Sequence, residues 1–271
     1  MRKTEAAFIG ARTEQWAGRA QDEEAPMSWV AGVDGCPAGW IAVFLPTEGG
    51  GEAPPAVVSV ATAFAAVIDA ARAPAVVAVD MPIGLPARTG HGGRGPENAV
   101  RPLLGGRQSS VFSVPSRAAV YAGDYGAACA AALATSIPPR KVSKQCFHLF
   151  PRIREIDGLL RARRELVERV YEVHPEVAFW RLNGGRALDL PKKVKGSPHG
   201  PGLAERRAIL AAAGLPAPLI EAPPPRGAGP DDYLDALANA LIARRIRTGA
   251  ARPFPDPPGC DEEGLPLAIW A

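Results

Sequence analysis

The run Ala75-Val76-Val77-Ala78-Val79 constrains the fold more than any other stretch, because five apolar residues in a row leave no face for water. Such a strand must lie inside a sheet covered on both sides, the usual state of parallel strands in α/β proteins. The run stops at a carboxylate, Asp80, followed by Met81-Pro82-Ile83-Gly84. A second apolar run, Trp29 to Val33, also stops at an acid, Asp34. Gly35-Cys36-Pro37-Ala38-Gly39 then turns the chain into a third run, Trp40 to Leu45. Segments 29–33 and 40–45 therefore read as an antiparallel hairpin. Residues 46–55 are a Gly/Pro/Glu loop. Val57, Val58 and Val60 make a short strand, and Thr62 is placed to cap a helix reaching Arg72. A helical crossover to 75–79 makes that strand parallel to the first. Parallel neighbours end at one sheet edge, so Asp34 and Asp80 are expected side by side there.

Further along, 87–117 is a Gly-, Pro- and Arg-rich stretch that reads as a long functional loop with at most one short helix. Asp124 opens an alanine-rich helix to Thr135. Two basic helices are expected over 141–157 and 158–169. Val170 to Val173 is a short strand, and Pro175 opens a helix. Residues 183–202 form a polar loop carrying Lys192, Lys193 and Lys195. A helix over 203–213 ends at Gly214, a Pro-rich linker covers 214–230, and a strong helix runs from Pro230 to about Arg247. The alternation predicts an α/β fold with a mixed five-stranded sheet flanked by helices. One domain over 27–271 is expected, with a helical and loop insertion around 87–169. Residues 1–26 are polar and charged with no apolar core. They read as a disordered arm and not as a secretory signal, and Met27 is a candidate true start.

The last helix begins Asp231-Asp232-Tyr233-Leu234-Asp235. Asp232 and Asp235 are three apart and Asp231 and Asp235 four apart, so either pair shares a helix face. Leu234, Leu237, Leu241 and Ile242 form the stripe that docks the helix, and Ala236, Ala238 and Ala240 permit close approach. If the helix start meets Asp34 and Asp80, three or four carboxylates converge. Crowded anions repel and resist desolvation, so a cation is the natural counterpart, and all-oxygen donors suit Mg²⁺ or Mn²⁺. Metal ligands are then Asp34, Asp80 and Asp235, with Asp232 assisting; one or two ions would activate water and stabilise a leaving oxygen in phosphodiester cleavage. Each acid also has an ordinary reading. First-turn acids satisfy free helix N–H groups, and strand-end acids are common in turns. Glu172 is a further candidate catalytic residue beside Asp34, Asp80, Asp232 and Asp235, against the ordinary reading that a charge within a strand needs a partner. Glu176 sits in a first helical turn, and His174 between them is either a general acid or base or a backbone-bonded turn residue. Arg101, Arg107 and Arg117 bracket Ser109-Ser110, and Lys144 lies beyond them. This group is a candidate phosphate-binding set, against the default of a solvated face.

The net charge of +3 permits a nucleic-acid partner without requiring one. No apolar run approaches the ~18 residues of a membrane span. The four cysteines form no C-x-x-C pair and stand at no zinc-ligand spacing to the four histidines, as expected of free thiols in a cytoplasmic protein. The sequence carries nothing that sets an oligomeric state.

Six blocks in order, AGVDGCPAGW, AVDMPIGLP, RQSSVFSVPSR, SKQCF…PRIREID, YEVHPEVAFWRL and DDYLDALANALIARRI, resemble an uncharacterised bacterial and archaeal family. That family is domain of unknown function DUF 429, grouped as predicted nucleases of ribonuclease H-like fold. The resemblance implies that fold here. It places Asp34 at the superfamily's first-strand acid and Asp80 at the acid ending the fourth strand. Asp232 and Asp235 fall on the D-x-x-D of resolvase-type members, and Glu172 falls in the family's E-x-H-P-E block. Glu97, in the run Arg94 to Arg101, stands where the family usually has an aspartate, and a further basic stretch of the family is matched only loosely over Lys195 to Arg207. The expected activity is metal-dependent nucleic-acid cleavage. Two other expectations share parts of the pattern: an actin-like or sugar-kinase ATPase, whose first strand ends in a similar Asp-Gly turn, and a non-catalytic nucleic-acid or protein-binding module.

Overall fold

The computed structural model describes residues 28–47 and 54–271; the expected N-terminal arm lies outside the described residues. Strands β1 (Trp29–Cys36) and β2 (Gly39–Pro46) form the hairpin, and β3 (Val57–Ala61) pairs antiparallel with β2. Helix α1 is only Phe64–Ile68, shorter than expected, and Thr62 does not cap it. Instead the free N–H of Phe64 is met at 2.5 Å by Glu155, reaching from a helix distant in sequence. Strand β4 (Val76–Val79) is parallel to β1, and β5 (Val170–Glu172) is parallel to β4. The five-stranded mixed sheet has the order β3-β2-β1-β4-β5, consistent with a ribonuclease H-like arrangement.

Both sheet faces are covered, and the strands show why in their alternation. Ala31, Val33, Trp40, Ala42, Phe44, Val77 and Val79 point into one core. Val30, Ile41, Val43, Leu45, Val76 and Ala78 point into the other. The first core is closed by the segment between β4 and β5, which is more ordered than a loop. It holds α2 (Gly95–Val100), a 3₁₀ stretch (Arg101–Ser110), α3 (Arg117–Val120), α4 (Tyr125–Thr135) and α5 (Lys144–Ala162). Where two helices were expected, α5 runs through Pro151 and Gly158. Its buried stripe of Cys146, Phe150, Ile153, Ile156 and Leu160 keeps helical spacing across both breakers. Only 164–168 departs from it, as a 3₁₀ turn.

The second core is closed by α6 (Pro175–Leu182), α7 (Gly200–Ala212), the short α8 (Ala217–Ile220) inside the expected linker, and α9 (Pro230–Arg247). Helix α9 crosses β1 at Gly32, where a Cβ would fall 1.9 Å from the Ala240 nitrogen and 2.3 Å from the Ala236 oxygen. Only glycine against an alanine-lined helix allows that approach. Asn239 fixes it by donating to the Val33 carbonyl at 2.9 Å. In the polar loop before α7, β6 (Lys193–Val194) and β7 (Ser197–Pro198) make a minimal hairpin. A C-terminal hairpin absent from the sequence reading, β8 (Pro253–Cys260) with β9 (Pro266–Trp270), packs against α2 and β5. No helix among the described residues is long and apolar enough to cross a membrane.

Candidate active site

The pairing of β1 with β4 ends at Val33 opposite Val79, and the Asp80 N–H donates to the Val33 carbonyl at 3.0 Å. Asp34 and Asp80 are therefore the next residues of two parallel strands, on the face that carries Val30, Gly32 and Ala78. That face is the one α9 covers, so Asp235 arrives above the same edge. Asp34 and Asp80 lie close enough for the charge of Asp80 to act on the Asp34 carboxyl. Asp34 and Asp235 are buried and Asp80 is half-buried. Burial, then the charges of Asp80 and Asp235, hold the Asp34 carboxyl well above the usual carboxylate range. Burial likewise raises Asp80, against the pull of His174 and Lys192. It pushes Asp235 up to about 6 despite the cation beside it.

That cation is Lys192, whose Nζ donates to Asp235 Oδ2. Burial works to lower the ammonium's pKa. The charges of Asp235, Asp34 and Asp80 overcome this and hold it well above the ordinary value, so Lys192 interacts with all three acids. Lys192 was legible in the sequence only as one of three lysines in a polar loop. The other helix acids have their own partners. Asp231 pairs with Lys193 at 2.6 Å. Asp232, half-buried, accepts from the Gly229 N–H at 2.9 Å in a capping box, while its charge still reaches Asp34.

Glu172 is separated from this cluster by strand alternation. It pairs in register with Val79, not Asp80, and so emerges on the opposite face. There it meets Arg94, a buried residue that the sequence reading did not single out. Arg94 Nη2 reaches Glu172 Oε1 at 2.6 Å and Glu97 Oε1 at 2.6 Å, and its Nη1 donates to the carbonyls of Ile83 (2.7 Å) and Gly84 (2.9 Å). Its Nε adds a 2.8 Å bond to Glu97. With Ile83 N–H on Glu172 at 2.7 Å, this network pins the β4-exit loop to β5. Burial raises Glu172 to about 7 even beside Arg94. Glu97, at the position where the family usually has aspartate, thus belongs to an ion-pair triad and not to the Asp34 cluster.

A cavity of about 290 Å³ opens between these two groups. Asp34, Asp80, Glu172, His174, Glu176 and Lys192 line its polar side, and Phe112, Leu149 and Ile153 its apolar side. His174 Nε2 lies 3.4 Å from the Ser110 carbonyl, and its Nδ1 is buried without a partner. Glu176 pairs through Oε1 with the buried Arg206, leaving Oε2 buried and unpartnered. Arg152 of α5 lines the wall beside Gly35, anchored by donation to the Cys36 carbonyl at 2.6 Å. Cys146 also lines the cavity, but burial pushes its thiol up to about 12, which makes it a poor nucleophile near neutrality.

Among the six candidate phosphate binders, Ser110 reaches the cavity wall. Arg101 is spent on loop carbonyls, donating to Val111 and Gly92. Arg117 bridges Asp157 (2.5 Å) and Asp261 (2.7 Å), away from the cavity. Arg107, the exposed Ser109 and the exposed Lys144 do not line it either.

The family model described as "Protein of unknown function (DUF429)" matches residues 32–259, most of the chain, including Asp34, Asp80, Glu172, Asp232 and Asp235. The chain belongs to this family. No curated protein and no solved structure gave a significant match. In this DUF429 chain, no three Asp, Glu, His or Cys side chains among the described residues stand as a ready metal-holding group. The cation amid the acids is the Lys192 ammonium. The donor chemistry nonetheless suits a hard divalent ion: all donors are carboxylate oxygens, and Asp235 Oδ1 and Glu176 Oε2 are buried without partners that an ion would supply.

Proposed function

We propose that this protein is a divalent-metal-dependent hydrolase of phosphodiester bonds in nucleic acid, acting in the cytoplasm. The observation that carries the reading is the convergence of Asp34, Asp80 and Asp235 from three segments onto one sheet edge, where Asp34 and Asp80 line a cavity. Buried anions in contact destabilise a fold, and a site that gathers them is more readily explained by chemistry than by stability. Asp34, Asp80 and Asp235 would hold Mg²⁺ or Mn²⁺, with Asp232 assisting from the helix start. When bound, the ion supplies Lewis acidity and an acidified water. The chain's own groups do the rest. Arg152 orients a phosphate at the wall. His174, with Nδ1 free of protein partners, moves a proton to or from a reacting oxygen. Phe112 and Leu149 exclude water on the far side.

The four free thiols support the cytoplasmic placement. A nucleotide as the sole substrate is the second reading, favoured by a cavity near the ~300 Å³ lower bound of small-ligand pockets. The test is cleavage of labelled single-stranded DNA, duplex DNA and RNA by the full chain with Mn²⁺ or Mg²⁺ against chelator. Metal-dependent cleavage that Asp34→Asn lowers by at least ~100-fold is expected. Cleavage that is equal in wild type and Asp34→Asn, or absent on every substrate, overturns the reading.

A further inference from the structure

We propose that Lys192 is a resident second cation of the carboxylate site, so that the site takes one divalent ion rather than two. The inference rests on the hydrolase reading only in requiring that a divalent ion binds.

Lys192 is held in place like a site residue and not like a surface lysine. Glu205 of α7 accepts from the Asp189 N–H at 2.9 Å and the Leu190 N–H at 3.0 Å. The buried Arg206 donates to the Leu190 carbonyl at 3.1 Å. His199 bonds the Pro191 carbonyl through Nδ1 at 3.0 Å, and its backbone N–H donates to the Lys192 carbonyl at 2.8 Å. Gly202 lets this strap lie directly on α7, since a Cβ there would sit 2.0 Å from the Pro191 oxygen. Five bonds thus fix the backbone around one side chain. The adjacent Lys193 takes Asp231, so neighbouring lysines engage α9 acids one turn apart.

Two ions ~4 Å apart need bridging and terminal carboxylate oxygens for both. Here one oxygen of the most buried acid, Asp235 Oδ2, is already given to Nζ, while Oδ1 remains unpartnered. Three carboxylates and one ammonium leave a formal charge of two negative units, which one divalent ion balances. The ammonium then provides, as a fixed part of the chain, the positive charge that a second ion would bring to the leaving oxygen.

The test counts bound Mn²⁺ by electron paramagnetic resonance titration of the full chain, with circular dichroism to confirm folding. One ion in wild type, two in Lys192→Met and one in Lys192→Arg is the expected pattern. Two ions in wild type overturn the inference and leave the hydrolase reading standing. One ion in both wild type and a folded Lys192→Met also overturns it. No ion in wild type overturns both. Should Lys192→Met fail to fold, anomalous scattering from Mn²⁺-soaked wild-type crystals decides. A single peak beside Nζ supports the inference, and paired peaks refute it.

Discussion

Replacing Gly32 by alanine tests whether the contact of α9 with β1 positions the site. The new Cβ would lie 1.9 Å from the Ala240 nitrogen and 2.3 Å from the Ala236 oxygen. Both are backbone atoms inside a helix, and Gly32 is itself inside a strand, so no side chain can rotate away. To recover ordinary contact near ~3.5 Å the helix must retreat by roughly 1.5 Å. Overpacking of this kind costs about 3 kcal/mol, the upper end for an inserted methyl. For a chain of this size that lowers Tm by about 6–12 °C. The same retreat carries Asp235 away from Asp34, and a displacement near 1 Å is enough to reduce a positioned reaction by about 100-fold. Gly158→Ala is the matched control. Gly158 is exposed inside α5 with nothing within 4 Å of a new Cβ. It should gain about 0.5–1 kcal/mol from helix propensity. Calorimetric melting of both variants should give shifts of opposite sign. A Gly32→Ala variant melting within ~1 °C of wild type would refute the reasoning.

Arg94→Met should lower stability by about 3–5 kcal/mol in chemical denaturation, because it strands Glu97 and Glu172 without their buried counter-charge; a loss below ~1 kcal/mol would contradict the triad. Glu172 ordinarily titrates at 4.5 and is held at about 7 in the fold, so between these values the native state binds more protons than the unfolded chain. Its contribution to stability is therefore full below pH 4.5 and lost as pH rises through 7, and Glu172→Gln should flatten that part of the pH–stability curve. Arg117→Met should lower stability by about 2 kcal/mol through loss of its bridge between Asp157 and Asp261, a figure reduced because the side chain is 19% exposed. Its metal-dependent activity should stay unchanged at a temperature where the variant is folded. A selective loss of activity would instead return Arg117 to phosphate binding.

The sheet and its acids were legible because they rest on strong local signals. An unbroken apolar run needs a covered strand, a helical crossover makes it parallel, and parallel ends bring Asp34 and Asp80 together. The span of α9 followed from its proline start and apolar stripe. Glu172 was placed on the right strand, but sequence does not give register, and a one-residue offset from Asp80 sends it to the other face. Arg94 and Lys192 carry no periodic signal. Their partners lie 78 and 43 residues away, and only the assembled fold reveals them. The C-terminal hairpin was hidden by Pro253, Pro255, Pro257 and Pro258, which mark a segment as non-strand except at an edge or bulge. It is an isolated two-stranded ribbon with a register shift between Phe254 and Gly259. Gly158 hides the continuity of α5, because the buried stripe that carries the helix past this local breaker extends over about four turns, from Cys146 to Leu160.

The central claim is that Asp34, Asp80 and Asp235 close around a divalent ion. Anomalous diffraction from a crystal of the full chain soaked in Mn²⁺ tests it directly. The account predicts a peak within about 2.0–2.6 Å of oxygens from at least two of these three residues, gone in Asp34→Asn. A map with no peak at that sheet edge, at Mn²⁺ concentrations that populate other carboxylates on the same molecule, would contradict it.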